Sequence, residues 1–183
     1  MQNIDTNLVE RFRQGEKDAF DDLYERMCQR IYRFGLRWTG CRDDAEDLTV
    51  QVFAEAYRSR GNFRHQSSIE TWMFRIAVHQ AHRIWRKRRK HGPLDERMPD
   101  LSAEITREHI ELQQIVEALP FKLRSAFLLV KSEGLTYREA AEALGRPLGS
   151  VQSDVHEASK RIRRQLFDEA DLVETTENYG YEL

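Results

Sequence analysis

The segment Gly134-Leu135-Thr136-Tyr137-Arg138-Glu139-Ala140-Ala141-Glu142-Ala143-Leu144-Gly145-Arg146-Pro147-Leu148-Gly149-Ser150-Val151-Gln152-Ser153 holds two helix starts and two helix stops within twenty residues. Thr136 followed three positions later by Glu139 is a capping box, in which the hydroxyl satisfies a free N–H of the first turn and the carboxylate reaches back to the cap. Gly145 ends that short helix, and Pro147 forbids its continuation. Ser150 is expected to cap the next helix, whose buried stripe reads Val151, Val155, Ala158, Ile162 and Leu166 at helical spacing. Two helices joined by a tight glycine-containing turn form the bihelical unit that lays its second helix in a DNA groove.

Upstream, Leu119-Pro120 closes one helix and opens another over Phe121–Ser132, with Gly134 as its stop. His91 to Ser102 holds Gly92, Pro93 and Pro99 among mixed charges and reads as a linker. Before it, from about Asn7 to Lys90, apolar residues recur every three to four positions, as in Leu8, Phe12, Phe20, Leu23, Tyr24, Met27, Ile31 and Phe34. Asp43 and Asp44 are expected to cap a helix with Leu48, Val52, Phe53, Ala56 and Tyr57 on its apolar face. The ten residues Ser59–Ser68 break the periodicity, and Ser68 is expected to cap a helix carrying Trp72, Met73, Ile76, Ala77, Ile84 and Trp85. The expected fold is all-α: two small helical domains joined by a flexible linker, with the boundaries 1–91, 92–104 (linker), 105–167 and an acidic tail at 168–183.

Charge is unevenly distributed. The whole chain carries a formal −2, yet six of the eight residues from Arg83 to Lys90 are basic, while 168–183 holds six acids and no base. Six clustered like charges repel one another unless a partner neutralises them, so the basic run points to phosphates. Neither Cys28 nor Cys41 belongs to a zinc-ligand pattern, and both are expected as free thiols in a reducing compartment. His79 and His82 lie three apart with no further ligand beside them, so no metal or cofactor is expected. No apolar run is long enough to span a bilayer, no secretory signal region opens the chain, and a cytoplasmic protein is expected. With no nucleotide loop or nucleophile triad in the sequence, an enzyme is not expected.

Ala45-Glu46-Asp47-Leu48-Thr49-Val50-Gln51-Val52-Phe53 resembles the polymerase-binding helix of bacterial sigma factors. Thr71-Trp72-Met73-Phe74-Arg75-Ile76-Ala77 resembles the following helix of the extracytoplasmic-function group within the sigma-70 family, and Gly134–Ser153 resembles that group's C-terminal DNA-binding domain. The resemblance runs from about Leu8 to Leu166. It implies docking of Glu46, Asp47, Gln51 and Phe53 on the coiled-coil clamp of the polymerase largest subunit. It implies that Asn62, Phe63, Arg64 and His65 capture a flipped base of the minus-ten element, with Trp72, Arg75, His79, Arg83, Arg86 and Lys87 on the same DNA. It assigns Arg138, Arg146, Ser150, Gln152, Ser153, Asp154, His156, Lys160 and Arg163 to the minus-thirty-five element, with Gln152, Ser153, Asp154, His156 and Glu157 facing outward.

The sequence departs from the group at several of these places. His79 replaces a usual Asn, Arg83 replaces a frequent Asp, and Gln152, Asp154 and Glu157 stand where Lys and Arg are common. The implied partners are core RNA polymerase, promoter DNA and an anti-sigma factor. Two rival readings are a sigma mimic that titrates an anti-sigma factor and a plain helix-turn-helix repressor. The acidic tail reads either as a solvated end or as a segment that folds back on a basic DNA-binding surface.

Overall fold

The computed structural model describes residues 6–91 and 107–167, with side chains described over 6–87 and 112–167. Every regular element among them is helical. In order they are α1 (Thr6–Gln14), α2 (Lys17–Thr39), α3 (Arg42–Ser59), a 3-10 turn (Arg60–Asn62), α4 (Ile69–His91), α5 (Arg107–Ala118), α6 (Phe121–Phe127), a π turn (Leu128–Ser132), α7 (Tyr137–Leu144) and α8 (Leu148–Leu166). The sequence-based linker at 92–104 and tail at 168–183 lie outside the described residues.

The helices of the first half close around one apolar centre. Phe12 of α1, Leu23, Met27, Ile31, Phe34 and Trp38 of α2, Leu48 and Val52 of α3, and Met73 and Phe74 of α4 are all buried. The spacing of three and four on α2 and α3 puts these residues on one stripe of each helix, which is what the sequence periodicity required. Gly35 lets α2 and α3 approach closely, since a Cβ there would lie 3.3 Å from the Ala45 Cα. Gly40 ends α2 in a left-handed turn (φ 65°), its N–H donating to the Leu36 carbonyl at 2.8 Å. A β-carbon on Gly40 would also overlap the carboxylate of Glu117 on α5, so this glycine serves both the cap and an approach from the second half.

The second half is built on Leu123, Ala126, Leu128, Leu129, Leu135, Ala140, Val151, Val155, Ala158 and Ile162. The capping box is present: Glu139 N–H donates to the Thr136 hydroxyl at 3.2 Å, and the Thr136 N–H donates back to the Glu139 carboxylate at 2.8 Å. Such a cap contributes about 1 kcal/mol to a short helix. Gly145 takes the left-handed conformation at the end of α7, and Gly134 (φ 72°) follows the helical run that stops at Ser132. That run does not stay α-helical as expected. It widens after Phe127, where the Glu133 N–H donates to the Leu128 carbonyl at 3.0 Å and the Leu135 N–H to the Leu129 carbonyl at 3.0 Å. The wide turn packs on α2.

Three sequence expectations need correction. Asp43 and Asp44 lie inside the first turn of α3, after Cys41 in the cap position, where they favour the helix dipole without capping it. Ser150 is also internal. α8 begins at Leu148 after Pro147, and the Ser150 N–H donates to the Pro147 carbonyl at 3.0 Å, so the proline starts the helix and leaves no cap for serine to fill. Leu166 is 40% exposed, because the last turn of α8 runs past the helices that cover Ile162.

The apolar core runs on from one half to the other, and α5, the π turn and α7 rest against α2 and α4. The two sequence-based domains thus pack directly on each other.

Candidate nucleic-acid interface

The Ser68 hydroxyl accepts the Thr71 N–H at 3.1 Å, which makes Ser68 the cap expected for α4. From there α4 turns Ile69, Met73, Phe74, Ala77 and Ala81 inward. The same periodicity leaves Arg75, His79, Arg83 and Arg86 exposed along one ridge, with Lys87 beside its end. Arg83 is steadied by the Gln80 side chain at 3.2 Å, and Arg75 donates to the Glu142 carbonyl of α7 at 2.7 Å. His82 faces away, half-buried. Desolvation holds it below the ordinary histidine range, and the charges of Arg86 and His79 push the same way. The side chains of Arg88, Arg89 and Lys90 lie outside the described residues. What is present is a row of cations, Arg75, Arg83, Arg86 and Lys87, on one helix, suited to phosphate contacts.

Trp72 and Trp85 are both partly buried against the core, so neither ring stands free on that ridge. Trp72 lies 5.4 Å from Phe63, and Trp85 lies 5.8 Å from Phe121. Phe63 is itself buried, and it anchors the loop to α4 with its ring already covered. Asn62, Arg64 and His65 are exposed around it. His65 has a left-handed backbone (φ 54°), uncommon for a non-glycine residue. It is held from α1, with Nε2 3.6 Å from the Glu10 carboxylate and 3.5 Å from Arg13 Nη1. Arg13, with Gln14 next, holds the Glu10 carboxyl below its ordinary range.

On α3, Glu46, Asp47, Val50 and Gln51 form the outward face. Phe53 is not on it. Its ring is buried 4.6 Å from Tyr24 and 6.2 Å from Phe20, supporting the face from below.

In the helix-turn-helix, Arg138, Gln152, Ser153, His156, Lys160 and Arg163 are exposed, and Ser150 is partly so. Ser153 donates to the Gly149 carbonyl at 3.0 Å. The expectation that Asp154 faces outward needs correction. It turns back into an ion pair with Arg146 in the turn before the helix, and its side chain is only 17% exposed. Arg146 is therefore engaged, and the acidity at this position is neutralised within the motif. Glu157 is likewise paired, to Arg161 at 2.7 Å, and that partner lowers its carboxyl pKa.

Among the described residues no group of three or more potential metal ligands occurs, and no helix is long and apolar enough to cross a membrane. Sequence reasoning passes over Arg124, Glu133 and Phe121, all on surfaces where the halves meet. The only signal among them is Arg124, which with Ser125 interrupts the apolar run Leu123–Val130.

Comparison with known proteins agrees with this geometry. The family described as Sigma-70 region 2 matches residues 23–91, and Sigma-70, region 4 matches residues 109–162. The RNA polymerase sigma-H factor of Pseudomonas aeruginosa is 32% identical, over 90% of this chain and 95% of its own. The ECF RNA polymerase sigma-E factor of Haemophilus influenzae is 31% identical, over 90% of this chain and 96% of its own. The sigma factor RpoE of Bartonella quintana, solved in complex with the anti-sigma factor NepR, shares the fold, with a TM-score of 0.69 and 22% identity over 82% of this chain and 98% of that one. With two relatives above 30% identity along almost their full length, and with both matched regions in the expected order, the chain belongs to the extracytoplasmic-function group of the sigma-70 family.

Proposed function

We propose that this protein is a transcription initiation factor that binds core RNA polymerase and directs it to promoters in the cytoplasm, performing no catalysis of its own. The observation that carries the reading is the exposed ridge Arg75–His79–Arg83–Arg86 on α4, in a chain of this family. The ridge supports minus-ten contacts, with Asn62, Arg64 and His65 as the polar rim of a base pocket whose aromatic surface is the partly exposed Trp72, backed by the buried Phe63. Capture of a flipped base calls for such a mix of edge partners and an aromatic surface. Gln152, Ser153 and His156 are the groups free to read the minus-thirty-five element, with Arg138, Lys160 and Arg163 on phosphates. An anti-sigma factor is the proposed inhibitory partner.

Run-off transcription from a genomic promoter library with purified core enzyme tests the reading. The expected result is a defined set of promoter-specific transcripts. A repressor or a sigma mimic yields none, and the repressor reading also gives α1–α4 no task.

The outward face of α3 supports polymerase docking, since acidic groups set against a basic partner steer assembly and fix register. Asp47→Lys with Gln51→Ala is expected to weaken core binding by about tenfold or more, on the scale of removing one charge pair. Helix content should stay unchanged, since both side chains are exposed. Unaltered affinity for core in a sedimentation or fluorescence titration would remove α3 from the interface.

Asp154→Arg has an expected gain of function. It removes the partner of Arg146 and converts one buried-edge anion into a cation, so general DNA affinity rises and preference changes at one position of the minus-thirty-five element. Binding to a randomised minus-thirty-five library reads both effects, and an unchanged selection would place α8 in another orientation.

A further inference from the structure

Helix α1 precedes the family-matched residues, which begin at 23. Leu8, Val9 and Phe12 seat it on the core, with Phe12 stacked 6.3 Å from Phe20 of α2. The same helix leaves Glu10 and Arg13 half-buried beside the loop Ser59–Ser68. The two are joined to each other at 2.8 Å, and Gln14 donates to the same carboxylate at 3.3 Å. Against this pair stands His65 Nε2, 3.5 Å from Arg13 Nη1 and 3.6 Å from Glu10 Oε2. The imidazole has a partner in either charge state. A neutral ring with its lone pair on Nε2 accepts from Arg13, and a protonated one faces the carboxylate. The ring also lies 4.9 Å from Phe63, which in turn packs on Trp72.

The other end of the loop is fastened to the turn that follows α1. The Arg60 guanidinium lies so close to this turn that a Cβ on Gly15 would stand 2.9 Å from its Nη2. Arg60 also covers the Tyr57 ring at 4.3 Å and donates to the Tyr57 carbonyl at 2.7 Å, and its own carbonyl accepts the Phe63 N–H at 3.2 Å.

The polar cluster on α1 does little for the fold. Partly exposed ion pairs contribute little to stability, and α1 is held by its apolar face without them. Its effect falls on the loop. The left-handed backbone of His65 (φ 54°) is unfavourable for a residue with a β-carbon and persists only where its surroundings hold it. Those surroundings are Phe63 within the loop and Glu10 and Arg13 from α1. A binding pocket discriminates only while its polar groups are held within about 0.5 Å of the productive geometry by neighbours behind them.

We propose that Glu10 and Arg13 are positioning residues for base recognition: α1 holds the His65 ring and the left-handed turn that carries it, and so sets how sharply the pocket at Asn62–His65 selects the flipped base of the minus-ten element. This role rests on the reading of that loop as the base pocket. Neither residue needs to meet the DNA, and both act through His65.

The test uses holoenzyme made with the full chain, in run-off transcription from four promoters that differ only in the flipped base and four that differ only at one minus-thirty-five position. The variants are Glu10→Ala with Arg13→Ala, and the charge exchange Glu10→Arg with Arg13→Glu. The double alanine variant is expected to lose about tenfold of the discrimination at the flipped base, the scale of one base-edge contact. Its minus-thirty-five preference, affinity for core and melting temperature should match the parent's, while amide hydrogen exchange over residues 60–68 of the free protein quickens. The charge exchange is expected to restore the base profile and the slow amides, because His65 again meets one cation and one carboxylate. An unchanged base profile in the alanine variant would overturn the inference. So would an equal loss on all eight promoters, which is what a merely structural α1 would give. A parent holoenzyme with no preference at the flipped base counts instead against the loop as a base pocket. Amide exchange needs neither polymerase nor DNA, and it then still decides whether Glu10 and Arg13 hold the loop.

Discussion

Replacing Arg86, Lys87, Arg88 and Arg89 by alanine lowers promoter affinity on every sequence alike. The four residues close α4 within the basic run, and Arg86 and Lys87 are exposed at its end. A cation on a phosphate releases a condensed counterion. On duplex DNA the logarithmic salt slope therefore becomes shallower by about 0.9 for every phosphate the variant no longer neutralises. If all four touch phosphate, about a hundredfold of affinity change between 50 and 200 mM salt disappears with them. Binding of the holoenzyme to two unrelated promoters over a salt series measures this. A weakening confined to one promoter would make the run a reader of sequence and would contradict its assignment to the backbone.

Trp38→Ala has the largest expected effect on stability. The indole is among the largest fully buried side chains and touches both halves. Truncating a buried aromatic to alanine costs about 3–5 kcal/mol, from the forfeited transfer free energy and the cavity left behind. Here the variant also takes the ring from beneath the Arg124 guanidinium. Trp38→Phe should be far milder. The indole Nε1 is buried without a hydrogen-bond partner among the described residues, so phenylalanine gives up ring area but no polar bond. Trp72→Ala, at a partly buried position, should fall between the two. Urea unfolding of the three variants gives the order, and Trp38→Ala no worse than Trp72→Ala would mean that the joint adds nothing at Trp38.

Signals that act within a few residues are readable in the sequence. Thr136 and Glu139 cap each other across three positions, Gly145 takes the one conformation that suits it, and the periodicity of α2 and α4 needs only the 3.6-residue repeat. Ser150 misleads because serine and proline both signal a helix start, and Pro147 comes first. Analogy places Phe53, Phe63 and Asp154 on surfaces that their side chains do not reach. Phe53 and Phe63 are drawn inward by their apolar area, and Asp154 is turned toward Arg146 by charge. The contacts of Arg124, Phe121 and Glu133 join residues about 40 to 100 positions apart, and no local pattern encodes which arginine meets which ring.

The placement of the tryptophans has an optical consequence. Trp38 and Trp85 both sit where the two halves meet, each beside Phe121, while Trp72 rests on Phe63 within the first half. Indole emission moves to longer wavelength when water replaces a packed neighbour. Parting of the halves would wet Trp38 and Trp85 and leave Trp72 as it was, so Trp72→Phe removes the constant background. The protein thus carries its own spectroscopic gauge, readable with no dye attached as promoter DNA, which has no indole of its own, is added.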